Sequence, residues 1–401
     1  MTTADLSPRG VAHLHDVMTA HVEAKQMPGL VTLVARGADV HVDAIGTASF
    51  TDDTPVTHST IFRIASLTKP ITAAATMALI EDGVLQLDQS VESLLPELAN
   101  RRVLRAIDAE LDDTVPADRP ITVEDLLSSR LGFGSVMAAP GSFPIQRAEA
   151  ELGLRSIGSP PWPPVAHDVD SWIAALGSLP LMYQPGERWM YNSSIQVLGV
   201  LLARVAGTAE TVLRERIFEP LGMSDTGFTV PADQLHRFTT AYQPDVQTGE
   251  LSVLDDAASS WWSNPQSFPD CSGWLVSTID DYWSFASMLL AGGTLRGRRV
   301  LSPESVALMT TDRLTEEQHD GAGIFLAEHE SWGLGLAAPI AGSVAPMPHG
   351  FGWDGGIGTT WRSNPRTAVT GFQLTQRAVN SPEPTPVVRD FWAAVNAATE
   401  D

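Results

Sequence analysis

Phe62-Arg63-Ile64-Ala65-Ser66-Leu67-Thr68-Lys69-Pro70 sets a hydroxyl and an amine three residues apart, just ahead of an apolar run from Ile71 to Ile80 that reads as a helix. Residues i and i+3 of a helix share a face, so Ser66 and Lys69 can meet by sequence position alone. A serine at a helix start also lies beside free backbone N–H groups and a partial positive charge, which suits a developing oxyanion. Lysine activates a serine only once it has lost its proton, and burial or a cationic neighbourhood drives it that way. The chain holds two lysines, Lys25 and Lys69, so the Lys+Arg total of 25 leaves 23 arginines. Arginine keeps its proton at working pH and cannot replace a lysine used as a base. Ser-x-x-Lys alone is common by chance, so the tetrapeptide needs partners.

The 401 residues allow a large core, with 43% hydrophobic and 18% charged residues and no repeat or low-complexity run. A net charge of −23 disfavours nucleic acid and anionic membrane surfaces as partners and fits a solubility role. The N-terminal residues lack a basic-then-apolar signal pattern, and no stretch is long enough to span a bilayer. A cytoplasmic protein is the simplest expectation. The single cysteine, Cys271, excludes an internal disulfide and reads as a buried bystander.

Working outward, residues Asp5 to Lys25 carry apolar positions at helical spacing, with His13, His15 and His21 on the same helix. Segments 30–35 and 40–45 read as a hairpin. Val91 to Leu95 is expected as a short helix, and Thr122 as an N-cap before 123–127. The Pro-, Gly- and Ser-rich segment 140–164 reads as a surface excursion or lid. Helices are expected over 170–176, 195–205, 214–221, 280–290, 303–309 and 387–397, with strands over 332–337, 358–362 and 367–376. Hairpin first, helices in the middle, strands and a helix last make an α+β chain. The expected division is a discontinuous sheet domain of residues 1–65 and 260–401, with a mostly helical domain of residues 66–259 inserted and the site in the cleft between them.

Two further stretches supply partners for Ser66. Gln184-Pro185-Gly186-Glu187-Arg188-Trp189-Met190-Tyr191-Asn192-Ser193 puts a tyrosine in a tight turn before an apolar helix, and Lys69 nearby is expected to lower its pKa. Gly350-Phe351-Gly352-Trp353-Asp354-Gly355-Gly356-Ile357-Gly358-Thr359 contains a GxGxxG, but strand and turn follow it rather than a helix. That context speaks against a dinucleotide site and suits close approach of backbone to a ligand.

Together the three pieces resemble the serine β-lactamase and penicillin-binding-protein superfamily, most closely its esterase branch, the family VIII carboxylesterases. S-x-x-K is one of that superfamily's motifs. The similarity runs through further stretches in family order, including Ile121–Leu127, Ser277-Thr278-Ile279-Asp280-Asp281 and Leu301-Ser302-Pro303-Glu304. The resemblance implies a β-lactamase/transpeptidase-like fold, an antiparallel sheet flanked by helices. It also implies Ser66 as nucleophile, Lys69 as its base and Tyr191 as partner general base and acid. The oxyanion would meet the backbone N–H of Ser66 and Ile357, or Gly356 if Trp353-Asp354-Gly355 rather than Asp354-Gly355-Gly356 is the triplet that replaces Lys-Thr-Gly. Ser193 stands where the family has the asparagine of Tyr-x-Asn. The missing triplet lysine points from β-lactams toward neutral esters, because an aspartate repels a substrate carboxylate and a tryptophan gives it no charge partner.

Trp353, Asp354, Gly355, Gly356, Ser193 and Trp262 are the expected substrate-binding residues, with Trp261, Trp262, Trp274 and Trp353 as candidates for an apolar acyl pocket. The expected activity is hydrolysis of small carboxylic esters through a Ser66 acyl-enzyme, with no metal or organic cofactor. The alternatives are amide or D-peptide hydrolysis, acyl transfer, weak β-lactamase activity, and an acyl sensor that does not turn over. The expected partner is a small-molecule ester, with no nucleic acid and no membrane; a homo-oligomer stays open.

Overall fold

The computed structural model describes residues 5–154, 164–319, 322–340, 342–343 and 350–400. Both ends of the chain build one seven-stranded antiparallel sheet. The N-terminal hairpin gives β1 (Gly29–Arg36) and β2 (Asp39–Gly46). The C-terminal part gives β3 (Glu330–Trp332), β4 (Ala337–Pro339), β5 (Phe351–Gly355), β6 (Thr359–Asn364) and β7 (Val369–Leu374). The strand order is β3-β4-β5-β6-β7-β1-β2. Pairing of β7 with β1, in register Val31↔Leu374, closes the ends of the chain into one unit.

Five long helices frame this sheet: α1 (Pro8–Glu23), α2 (Thr68–Glu81), α3 (Ser193–Ala206), α4 (Ile279–Leu290) and α5 (Pro386–Thr399). Period-2 alternation decides what each sheet face meets. Leu30 and Val34 of β1 face a small core with Leu14 and Met18 of α1 and Phe391 and Trp392 of α5. Val31, Leu33 and Ala35 face the larger core, where α2, α3 and α4 lie. Helix starts follow their capping residues: Thr278 accepts from the Asp281 backbone N–H at the head of α4, and α1 and α5 each open with proline. α2 is buried from Thr68 to Leu79, which explains why it is apolar all round instead of amphipathic. Truncating a residue such as Ile71 to alanine there costs about 2–5 kcal/mol.

Several expected elements differ. The strand expected over 332–337 is a turn between β3 and β4. Gly335 turns it at φ +83°, and a Cβ there would lie 2.1 Å from that of Ala73, so only glycine lets this turn rest on α2. The 140–164 excursion contains a helix, Pro144–Glu151, while residues 155–163 of the expected lid lie outside the described residues. The helix expected from Arg214 begins at Ala209 and runs through a π-type turn to Leu221. Val91–Ser93 is a single 3₁₀ turn. Among the described residues no single helix is long and apolar enough to cross a membrane. His15 bonds Asp43 and His21 bonds Asp390 and Gln26, so these histidines tie α1 to its neighbours.

Candidate active site

Two segments distant in sequence run side by side at the head of α2. Phe62 and Arg63 pair with Ser277 and Val276, and Ile64 N–H donates to Leu275 at 3.0 Å. Arg63, fully buried, holds this entry in place: it ion-pairs with Asp255, donates to Gln376 Oε1 at 2.8 Å, and lies over the Phe238 ring at 4.0 Å. The chain then turns through Ala65 at φ +45°, a conformation that a non-glycine residue adopts at a cost of about 1 kcal/mol or more. A 3₁₀ turn over Ala65–Leu67 carries Ser66, and α2 starts at Thr68. Thr68 Oγ1 donates to Ala65 O at 2.7 Å and accepts from Leu275 N–H at 3.1 Å, which locks the turn.

Lys69, one residue into α2, is buried. Its Nζ lies 3.0 Å from Ser66 Oγ and donates to Ser272 O at 2.7 Å. One turn on, Thr72 Oγ1 donates to Cys271 O at 2.9 Å, so one helix face grips the 271–272 backbone. Burial pulls the Lys69 ammonium down to about 7, and nearby Asp270 opposes this only in part.

Tyr191 comes from the opposite wall, in the turn before α3. Ser135 N–H donates to its carbonyl at 2.9 Å, and Asn192 beside it sits at φ +83°. The phenol O–H donates to Ser66 Oγ at 2.7 Å and accepts from the Trp353 indole N–H at 3.0 Å. Phe325 packs on the ring at a centroid distance of 4.6 Å, and Lys69 Nζ lies 4.4 Å from the ring centroid. The expected lowering of this phenol is overturned. Burial pushes Tyr191 up to about 12, outweighing the bonds from Ser66 and Trp353, and the same burial removes the lysine charge that would have stabilised a phenolate.

The remaining sequence candidates divide. A cavity of about 320 Å³ opens at Ser66 and Tyr191, and Trp353, Gly355, Gly356 and Trp274 line it. A Cβ on Gly355 would lie 2.1 Å from Thr359 Oγ1 and 3.3 Å from the Cβ of Ala65, so the missing side chain lets β5 close on the serine turn. β5 is Phe351–Gly355, which makes Trp353-Asp354-Gly355 the strand triplet and Gly356 the first residue past it. Ile357 is fully buried, accepts from Thr375 Oγ1 at 2.8 Å and does not line the cavity.

Asp354 also differs from expectation. Strand alternation turns its carboxylate to the face opposite Trp353, where it accepts from Thr360 Oγ1 at 2.5 Å and pairs with Arg362 at 3.0 Å. Arg362 thus offsets part of its charge, but Asp354 still lines the cavity and contributes to the rise of the Tyr191 phenol. Trp262 is a core residue, not a pocket residue. It is fully buried, stacks on Trp274 at 4.2 Å and donates to Trp274 O at 2.8 Å. Ser193 is buried at the start of α3 and does not line the cavity; Asn192 does.

The Beta-lactamase family description matches residues 14–390. The chain belongs to the Beta-lactamase family. Protein Rv1367c of Mycobacterium tuberculosis is 39% identical over 364 residues, covering 88% of this chain and 87% of its own. Esterase EstB of Burkholderia gladioli is 26% identical over 409 residues, covering 94% and 95%. Among solved structures, EstCE1, described as a hydrolase with promiscuous acyltransferase activity, superposes with a TM-score of 0.78 at 23% identity over 98% of both chains. The fold is thus the β-lactamase/transpeptidase-like one, with esterase and acyltransferase relatives.

Within this family member, four site residues escaped the sequence reading. Ser272 supplies the second anchor of Lys69, Phe325 covers Tyr191, and Gln196 and Asp270 form a bonded pair in the cavity wall at 2.8 Å. Gln196 had a signal, being a polar residue in an otherwise apolar helix. Asp270 had only a weak one, lying seven residues before the Ser277–Asp281 stretch that the family resemblance includes. Among the described residues no group of three or more His, Cys, Asp or Glu side chains is placed to hold a metal ion.

Proposed function

We propose that this protein is a serine hydrolase that cleaves carboxylic esters of small acyl groups through a Ser66 acyl-enzyme. One observation carries the reading: Ser66 Oγ stands between a buried amine at 3.0 Å and a half-buried phenol at 2.7 Å, in a largely apolar cavity. With Lys69 near 7 and Tyr191 near 12, the resting pair at mildly alkaline pH is a neutral amine and a protonated phenol. Lys69 takes the Ser66 proton as Oγ attacks the ester carbonyl, and the tetrahedral oxyanion is met by the backbone N–H groups of Ser66 and Gly356. On collapse Tyr191 gives its proton to the leaving alkoxide, and the alcohol departs.

The acyl-enzyme then faces a Lys69 ammonium and a Tyr191 phenolate. The phenolate takes a proton from the attacking water, and the ammonium returns one to Ser66 Oγ as the acid leaves. Both groups end as they began, so the cycle closes without an outside proton. Trp353 takes the place of the family's triplet lysine, donating a neutral N–H to Tyr191 and offering no charge to a substrate carboxylate. That favours neutral esters over β-lactams. Acyl transfer to an alcohol is the second reading. The cavity has room for an acceptor, and EstCE1 is described as having promiscuous acyltransferase activity.

The test is turnover of p-nitrophenyl butanoate and nitrocefin by wild type and Ser66→Ala, with intact-protein mass on the same samples. Ester turnover lost in the variant, with a transient acyl adduct in wild type and little nitrocefin cleavage, is the expected result. Turnover surviving in Ser66→Ala overturns the reading. A lasting adduct without turnover replaces it with the sensor. Faster acyl release with added alcohol, and ester as the product, moves it to acyl transfer.

A further inference from the structure

The antiparallel pairing of 62–63 with 276–277 delivers the segment Asp270-Cys271-Ser272-Gly273-Trp274 to the flank of Ser66. Lys69 and Thr72 hold its carbonyls, and a Cβ on Gly273 would lie 3.8 Å from the Ala65 carbonyl carbon. Asp270 begins this segment and faces the cavity. One carboxylate oxygen accepts from the Ser272 backbone N–H at 2.7 Å, the other from Gln196 Nε2 at 2.8 Å. Gln196 is itself buried on α3, so the carboxylate is clamped between α3 and its own segment.

Each oxygen of a carboxylate has two acceptor directions, so one on each is left after these bonds. Among the described residues Asp270 makes no ion pair, although its charge is felt by Lys69, and none of those lining the cavity is lysine, arginine or histidine. Two other carboxylates line the cavity: Asp354, which is paired with Arg362, and Glu383, which is exposed, whereas Asp270 is held in the wall by its two hydrogen bonds. A fixed anion in an apolar wall beside the reacting serine attracts a cation and repels an anion more strongly than a solvated one does.

We infer that Asp270 is the specificity residue of this site, selecting substrates whose acyl group carries a cationic ammonium over neutral and anionic ones of the same length. This rests on the reading of Ser66 as nucleophile. Gln196 then has the role of a positioning residue that keeps the carboxylate in the wall.

The test compares kcat/KM for three p-nitrophenyl esters with a common four-methylene tether: 5-(trimethylammonio)pentanoate, its neutral isostere 6,6-dimethylheptanoate, and the adipate monoester. Wild type is expected to prefer the cationic ester over its isostere by roughly tenfold or more, with the anionic ester slowest. Asp270→Asn should bring the cationic-to-neutral ratio to within about twofold of one, and Asp270→Glu should keep part of the preference. No preference in wild type, or a preference that survives in Asp270→Asn, overturns the inference. Should Asp270→Asn fail to fold, the wild-type ratio measured against salt decides, because a charge-based preference shrinks with ionic strength and a shape-based one does not. Hydrolysis that persists in Ser66→Ala instead defeats the underlying assignment, so the two failures are distinguishable.

Discussion

Lys69 and Arg362 are cations buried almost equally, 1% and 3% exposed, yet the protein treats them in opposite ways. Arg362, on β6, has Glu330 and Asp354 both at 3.0 Å, and these carboxylates outweigh burial and hold its proton more tightly than usual. Lys69 has only neutral hydrogen-bond partners in Ser66 and Ser272, and burial loosens its proton to about 7. The difference separates a structural charge from the base of the proposed mechanism. A buried charge paired directly with carboxylates serves the fold, whereas one that a carboxylate reaches only at a distance becomes a neutral amine at the cost of stability.

The sharpest way to break this comparison is to give Lys69 the chemistry of Arg362. Lys69→Arg places a side chain that cannot lose its proton at the serine, and ester kcat/KM should fall at least about a thousandfold, assayed with a melting curve on the same sample. Removing the other cation is expected to be a stability event. Arg362→Met strands Glu330 and Asp354, and denaturant unfolding should show a loss of about 3–5 kcal/mol.

Lys69→Met is expected to stabilise. The native lysine titrates near 7 and the unfolded one near 10.5, so between these values only the unfolded chain holds the proton. Wild-type stability therefore falls as pH drops through that window, and the penalty is complete below pH 7. The variant should gain up to about 5 kcal/mol at pH 6, and the gain should vanish towards pH 10.5. The same titration governs rate. Wild-type kcat/KM should fall as pH drops through about 7, with no alkaline limb from Tyr191 at ordinary pH because burial holds that phenol near 12. Smallest is Trp353→Phe, which removes one N–H bond to Tyr191. It should cost about fivefold in kcat/KM and leave the acid limb in place, read from a full pH profile.

Much of this architecture was legible because it depends on near neighbours. The β1–β2 hairpin, the helices of the middle and last parts, and the α+β order followed from periodicity and a capping residue such as Thr122. Ser66 with Lys69 followed from helical spacing, even though the serine lies on a 3₁₀ turn just before the helix. Misreadings fell where a distant segment overrides a local pattern. Residues 332–337 look like a strand, but Gly335 turns there to settle on Ala73. Trp262 reads like a pocket aromatic, but Trp274 and Arg63 enclose it.

Taken alone, the sequence determined the Ser66–Lys69 spacing, the tyrosine stretch and the absence of a triplet lysine, because each is a matter of residue identity and order. The tertiary structure alone decided the protonation states, since the Lys69 and Tyr191 values depend on a desolvation supplied by the walls around them. It also decided the direction of Asp354, set by the alternation of a strand whose register comes from its pairing with Thr360 and Trp361. The Asp270 carboxylate comes to line the serine's cavity by the same rule: 204 residues separate them, and the pairing of two short strands brings their segments together.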